Sequence, residues 1–262
     1  MKPVISFSLL TASLCLGQST DRVEIERMTH AEIHEAIHKL GKTTVLVYNG
    51  GTEQRGPHAV QGGHTFMARR TAEAIARKLG NALVAPVLPF SPAGSHLNAK
   101  WPGSVDLPAD LYVKVNESVV ASMVTNGFKT VVLMGDHGGG QEDLSKLARA
   151  LDARYSPQGV HVYFCSAVYK EAREDFNAWL KQNKLPVGTH ASIPDTSELM
   201  YLGGDEYVRK ERLVNGSKDN GITGDPRPSS RDLGKRVFDM KVEYGVAEIR
   251  KLTVTRATPA AR

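Results

Sequence analysis

Five side chains of the kinds that bind metals or move protons lie in short, unusual segments of the sequence. They are Glu53, His64, His137, His190 and Asp195. A carboxylate and two imidazoles suit a transition metal, and three protein ligands leave one position open for water. Glu53, His64 and His137 therefore form a candidate ligand set for one divalent metal ion. If such a metal activated water to cleave a C–N bond, His190 or Asp195 would carry protons to the leaving nitrogen.

The first three of these residues follow apolar runs that end in glycine-rich loops. Residues 44–48 (TVLVY) lead into the loop that holds Glu53, and residues 130–134 (TVVLM) lead into 135–141 (GDHGGGQ). Parallel strands end at one edge of a sheet, so loops of this kind converge there. A metal at that edge would lower the pKa of a bound water to about 7. A lone histidine is more often a hydrogen-bonded structural residue, but the joint placement of these favours a site.

The elements that must position these loops alternate between strand and helix patterns. Apolar runs predict strands at 44–48, 83–88, 130–134 and 161–166, and helical periodicity covers 65–79, 108–126, 142–155, 169–182 and 231–251. Thr29 and Glu32 have the spacing of a capping box, which predicts a first helix there. This alternation predicts a single three-layer α/β/α domain with a mainly parallel sheet over residues 20–262.

The first nineteen residues differ in composition from the rest. Lys2 precedes an apolar stretch with small residues, which is typical of a signal peptide, and the stretch is too short to span a bilayer. We therefore predict residues 1–19 to be a signal peptide and the protein to be exported, either periplasmic or secreted, without membrane attachment after cleavage. The alternative is an ordinary buried N-terminal segment. After cleavage Cys165 would be the only cysteine, which excludes an intramolecular disulfide.

Composition narrows the partners. The formal charge is +5, but basic residues are spread along the chain and no zinc-finger spacing or RNA-binding signature occurs. We expect a small-molecule substrate and no nucleic acid.

Several motifs, in the right order, resemble the creatininase (creatinine amidohydrolase) family. They are residues 51–58 (GTEQRGPH), 63–65 (GHT), 135–139 (GDHGG) and 190–197 (HASIPDTS), with weaker matches at 101–104 (WPGS) and 221–226 (GITGDP). The resemblance implies a three-layer α/β fold and metal-dependent hydrolysis, mostly of C–N bonds in cyclic or formyl amides. It also implies a homo-oligomer, often a hexamer.

Four departures from the family pattern bear on the metal. Arg55 stands where the family has a histidine ligand, and an arginine does not give up its proton to become one. His64 replaces an aspartate that bridges two metals, Gly139 replaces a further glutamate ligand of the creatinine-specific members, and Asp195 is a shortened glutamate. We therefore predict one metal per chain on Glu53, His64 and His137, with Asp195 as a fourth ligand or a neighbour of one. Zinc is our first choice, and manganese, iron or cobalt also suit the set.

The remaining site residues are assigned by position. The catalytic set is His190, Asp195 and Arg55, where Arg55 supplies the missing metal's charge, holds a substrate carboxylate or stabilises an oxyanion. The alternative is that Arg55 pairs with Glu53 and the site is inactive. The substrate-binding set consists of backbone and side chains in the two loops, Gly138, Gly139, His96 and Trp101.

Three functions follow for comparison. The leading hypothesis is a metal-dependent hydrolase of an amide, lactam or lactone, for which creatinine itself is disfavoured by Gly139. The second is a non-catalytic, creatininase-like binding protein that has lost its metal site. The third is a metal-dependent isomerase or lyase with His190 as base.

Overall fold

The computed structural model of the chain describes residues 22–254, so the predicted signal peptide lies outside the described residues. Four strands form one sheet in the order β2-β1-β3-β4, and each neighbouring pair is parallel. The strands are β1 (Thr44–Asn49), β2 (Ala82–Val84), β3 (Thr130–Gly135) and β4 (His161–Phe164). The helices are α1 (His30–His38), α2 (Gly63–Leu79), α3 (Ala109–Thr125), α4 (Gln141–Tyr155), α5 (Lys170–Gln182), α6 (Ile193–Leu202) and α7 (Arg231–Val254).

The two faces of the sheet bury alternate residues of the same strands. Leu46 and Met134 belong to the core that α2 and α7 cover, whereas Val45 and Leu133 belong to the core under α1, α3 and α4. A strand covered on both faces is apolar throughout rather than alternating, which explains the continuous runs in the sequence. The predicted three-layer α/β/α fold is confirmed.

The predicted boundaries hold to within three residues, as at the fourth strand, which ends at Phe164 rather than residue 166, and the second strand is the one clear exception. Thr29 caps α1 with the predicted capping box, since its Oγ1 accepts from the Glu32 backbone and Glu32 Oε2 accepts from the Thr29 backbone. The strand predicted at 83–88 ends instead at Val84. Pro86 has no N–H to donate to the ladder, which ends regular pairing there. Leu88 then makes only an isolated bridge to Asn49.

Within residues 22–254, every helix is too short or too polar to cross a lipid bilayer.

Candidate metal centre and its pocket

The carboxyl ends of β1 and β3 lie side by side and carry the loops of the site. Asn49 pairs with Gly135 at the last step of the ladder between these strands. Glu53 follows β1 by four residues, His137 follows β3 by two, and His64 lies in the first turn of α2. The sheet edge therefore brings together residues that are 84 positions apart in sequence.

Glu53 is the centre of this cluster. Its Oε1 lies 2.9 Å from His64 Nε2, and its Oε2 lies 2.6 Å from His137 Nε2. One ligand atom from each of the three lies within 4.8 Å of the others, and all three residues are buried. Burial alone would raise the pKa of Glu53, but hydrogen bonds from His137 and His64 outweigh it and hold that pKa far below its usual range. Glu53 is thus an ionised carboxylate.

His64 is oriented as a metal ligand. Its Nδ1 lies 2.9 Å from Asp136 Oδ2, on the opposite side of the ring from Glu53. Burial and the Arg55 charge lower the pKa of His64, but the contacts with Asp136 and Glu53 outweigh them and raise it overall. Histidine ligands in proteins commonly hold one ring N–H on a carboxylate while the other nitrogen faces the metal. The His64 geometry fits a divalent cation beside Glu53.

His137 has a different second contact. Its Nδ1 accepts a hydrogen bond of 2.9 Å from the Gly139 backbone N–H, so the ring proton is on Nε2 and is donated to Glu53. To hold a metal through Nε2 as a neutral imidazole, His137 would need its proton on Nδ1 and would lose the Gly139 contact. The donor set therefore fits one divalent metal: His64 would give up the Nε2 proton that it shares with Glu53 and keep the one on Nδ1, whereas His137 would need a change of tautomer.

His190 and His96 form a second pair beside Glu53. His190 Nδ1 lies 3.5 Å from Glu53 Oε1, and His96 Nε2 lies 3.7 Å from Glu53 Oε2, so these three also satisfy the distances of a ligand group. The two rings, however, are stacked with centroids 4.1 Å apart and planes at 20°. Their in-plane lone pairs run side by side rather than converging on one ion. The set with His64 and His137 is the better metal site.

Hydrogen bonding gives His190 the properties of a base. Its Nε2 donates to the Gln54 carbonyl at 2.7 Å, which leaves the lone pair of Nδ1 on the side of Glu53. Burial lowers the pKa of His190 to about 4, and the nearby Arg55 charge adds to the effect. The imidazole is therefore neutral at pH 7 and able to accept a proton at Nδ1.

Arg55 lies beneath the site and not in the wall of the pocket. It is fully buried, with Nη2 3.3 Å from Asp195 Oδ2 and Nη1 3.8 Å from Glu53 Oε1. Among the described residues, none of its three nitrogens has a hydrogen-bond partner. Burial would raise the pKa of Asp195, but the charges of Arg55 and Arg173 hold it well below its usual range. Arg55 thus acts here as a buried positive charge between two carboxylates.

The ligand set opens into a cavity of about 490 Å³. Its wall includes the predicted residues His96, His190, Asp195, Gly138 and Gly139 in addition to the three ligands. Trp101 lies elsewhere: it lines a separate cavity beyond Gln54 and donates from Nε1 to the Asp219 carbonyl at 3.3 Å. The structure therefore gathers all the predicted site residues except Trp101 and the buried Arg55 around one pocket.

Several residues at this site are not among those that the sequence predicted. Tyr169 and Arg173, at the start of α5, line the pocket, and Arg173 Nη1 donates to the Tyr169 hydroxyl at 3.3 Å. Asp136 adjoins a predicted ligand in the glycine loop, and that position was the available signal. Lys241 faces the core from α7, and a lysine within an otherwise apolar helix face was a further signal.

Fold and site together define a class of protein, a three-layer α/β protein with a Glu/His/His set at the carboxyl edge of its parallel sheet. Residues 26–249 match the family model described as creatininase, creatinine amidohydrolase. The chain belongs to the creatininase family, as the motifs of the sequence indicated.

Two curated relatives have different activities. The mycofactocin precursor peptide peptidase of Mycolicibacterium smegmatis is 26% identical over 250 residues, which cover 85% of each chain. The 3-dehydro-scyllo-inosose hydrolase of Thermotoga maritima is 28% identical over 116 residues, which cover 44% of this chain. The match spans only 36% of that relative's length. Both relatives are named as hydrolytic enzymes.

Solved creatininase structures share the fold. A creatinine amidohydrolase is 18% identical, with a TM-score of 0.73 over 88% of this chain and 97% of its own. A manganese form and a zinc–zinc form of a mutant each have a TM-score of 0.72 at 20% identity, and each match covers 88% of this chain and 98% of theirs. At these identities the likeness establishes the fold, and the metals are properties of those proteins.

Proposed function

We propose that this protein is a metal-dependent hydrolase with a single divalent ion, acting on a C–N bond of an amide or cyclic amide, or on a lactone. The observation that carries the proposal is Glu53, a buried carboxylate that contacts one imidazole with each oxygen and opens onto the pocket. An ionised carboxylate and two imidazoles at this spacing suit zinc, with manganese or iron as alternatives.

The bound ion would supply a polarised carbonyl and an activated water. His190 takes the next role: its ring lines the pocket and the lone pair of its Nδ1 lies beside Glu53, so we propose that this nitrogen accepts the proton that the attacking water loses. The same nitrogen then returns the proton to the leaving group. The Gln54 carbonyl keeps the ring in this tautomer throughout, because it holds the proton on Nε2.

Asp195 in the pocket wall and Arg55 beneath it complete the electrostatics of the site. Asp195 Oδ2 accepts from the Ala191 backbone N–H at 2.9 Å, which ties the segment after His190 to α6. Arg55 supplies a fixed positive charge near Glu53 and Asp195 where the family has a second metal ligand. Because Arg55 is fully buried, we propose charge compensation as its role in preference to direct contact with substrate.

The pocket supports a compact polar substrate. Backbone and side-chain polar groups of the loops around Ser95, Gly138 and Thr189 line it, and Arg173 adds a positive charge. The Gly139 position keeps creatinine disfavoured as the substrate. We further propose that the protein is exported by its N-terminal segment and forms a homo-oligomer, which the signal-like residues 1–19 and the family resemblance support.

A hydrolysis assay tests this proposal. The zinc-loaded protein would be given a panel of cyclic amides, linear formyl amides and lactones, with Glu53→Gln and His190→Gln as matched variants. We expect turnover with water incorporated into the product, lost in both variants. Products without added water would instead indicate the isomerase or lyase alternative. Tight binding of a panel compound without turnover, and without bound metal, would favour a binding protein on this fold.

A further inference from the structure

A row of buried charged side chains lies behind His64 and takes no part in the proposed hydrolysis. Lys241 on α7 contacts Asp136 Oδ1 closely, and its Nζ also lies 3.1 Å from both carboxylate oxygens of Glu198 on α6. All three residues are buried. Buried charges are costly unless paired, so a group of three beside the metal centre calls for an explanation.

The contacts of Asp136 are divided between its two oxygens. Oδ2 lies against His64 Nδ1 at 2.9 Å, while Oδ1 contacts Lys241 and accepts from the Tyr48 hydroxyl at 3.4 Å. The lysine ammonium group has donors only, so the oxygen that faces Lys241 can only accept a hydrogen bond. The carboxylate is therefore fixed with one oxygen facing His64.

We propose that Asp136, held by Lys241, is the positioning residue that presents His64 Nε2 to the metal. This inference rests on the proposed metal centre and goes beyond it, because it assigns roles to residues outside the ligand set. A carboxylate at Nδ1 retains the proton there and leaves Nε2 free to bind the metal. Histidine at position 64 is then a usable ligand because Asp136 accompanies it.

An amide in place of Asp136 gives the decisive perturbation. In Asp136→Asn the amide oxygen has to face Lys241, because the NH₂ group there would meet another donor. The NH₂ group consequently points at His64 Nδ1 and makes it an acceptor. The proton then resides on Nε2, where it blocks the metal. With the additional substitution Lys241→Met, the amide can rotate by about half a turn. Its oxygen then faces His64 Nδ1 and again accepts a hydrogen bond from it.

Zinc affinity, measured by competition with a chromophoric chelator, tests the positioning role of Asp136. We expect Asp136→Asn to bind zinc about 10–100-fold more weakly than the parent, in the range found when a histidine ligand loses its partner. The double variant Asp136→Asn/Lys241→Met should recover part of that loss. A purely structural role predicts the reverse, since the double variant is the more heavily altered.

The chain offers a matched control. Asp152 Oδ1 lies 3.1 Å from His161 Nδ1 at the start of β4, at the opposite edge of the sheet from the site. Asp152→Asn makes the same change to the same kind of contact and should leave zinc affinity within about threefold of the parent, well short of the 10–100-fold expected for a ligand's partner.

The outcomes separate this inference from the proposed function. A parent protein that does not bind zinc contradicts the proposed function itself. A parent that binds zinc, with Asp136→Asn within threefold of it, overturns only the positioning role. If Asp136→Asn does not fold, nitrogen-15 NMR of the zinc-loaded parent decides. A proton on His64 Nδ1 supports the inference, and a proton on Nε2 overturns it.

Discussion

Replacing Arg55 by methionine tests whether its charge substitutes for a metal. The guanidinium is fully buried and lies 3.3 Å from Asp195 Oδ2 and 3.8 Å from Glu53 Oε1. At an effective dielectric constant of about 20, two opposite unit charges separated by 3.8 Å, as Arg55 and Glu53 are, attract each other by about 4 kcal/mol. Removing one partner of a buried pair typically costs about 3–5 kcal/mol, because the remaining charge is left unpaired. We therefore expect the metal-free Arg55→Met protein to lose about that much unfolding free energy.

Zinc should offset much of this loss. Without Arg55, the ligand carboxylate Glu53 carries an uncompensated negative charge, which favours a divalent cation. We expect zinc to bind at least about tenfold more tightly to Arg55→Met, equivalent to about 1.4 kcal/mol. The deficit in unfolding free energy should shrink by at least the same amount when zinc replaces a chelator in the buffer.

Urea denaturation with chelator and with zinc provides the assay. Arg212→Met is the control, because the Arg212 side chain is 65% exposed and its Nε comes no closer than 4.0 Å to Glu211 Oε1. A surface pair of this kind contributes about 0–1 kcal/mol. A metal-free loss below about 1 kcal/mol for Arg55→Met, or zinc affinity equal to or weaker than that of the parent, would show that Arg55 does not compensate the charge of Glu53.

Three further predictions concern the metal count and the response to pH. Arg55→His restores the family's histidine, so elemental analysis should find a higher metal-to-protein ratio than in the parent; an unchanged ratio would count against a degraded two-metal centre. Gly139→Glu should not add a metal, because a Cβ there would clash with the Pro92 carbonyl and lie 3.0 Å from His137 Nδ1; a second tightly held ion would contradict this. Burial lowers the pKa of His58 from 6.5 to about 4. As the pH falls from 6.5 to 4, this histidine therefore binds a proton in the unfolded chain but not in the folded protein, which favours unfolding. The parent should lose up to about 3 kcal/mol of unfolding free energy between pH 6.5 and 4 from this group, and His58→Gln should lose correspondingly less in denaturant titrations of the metal-free proteins.

Much of the fold could be predicted because both faces of the sheet are covered. Strands buried on two sides are continuously apolar, so the pattern at 130–134 marks β3 almost to the residue. The strand predicted at 83–88 fails for a local reason, since the apolar residues continue while Pro86 interrupts the ladder. Hydrophobicity indicates burial in such a segment, whereas pairing depends on the backbone donors.

The site divides along similar lines. Glu53, His64 and His137 could be predicted from their position after strands, because the geometry of a parallel sheet brings such loops together. The role of Arg55 could not, since only the packing shows that its guanidinium lies beneath the pocket. Trp101 was placed by neighbourhood in the loop, but the chain turns so that its indole faces Asp219 in another cavity.

The pairing of the charged side chains behind His64 could not be predicted from the sequence. Lys241 and Glu198 lie on α7 and α6, far along the chain from Asp136, and their meeting depends on how those helices pack over the sheet. A charged residue on a buried helix face signals a partner without identifying it.

Metal content decides whether Glu53, His64 and His137 form a metal centre. The mature protein and a His137→Ala variant would be purified identically, exposed to zinc, freed of excess metal and analysed for elements. We predict about one tightly held transition metal per chain in the parent and loss of that ion in the variant. The absence of bound metal in the parent after reconstitution would contradict the proposed metal centre. That result would favour the alternative that this chain is a non-catalytic binding protein with the creatininase fold.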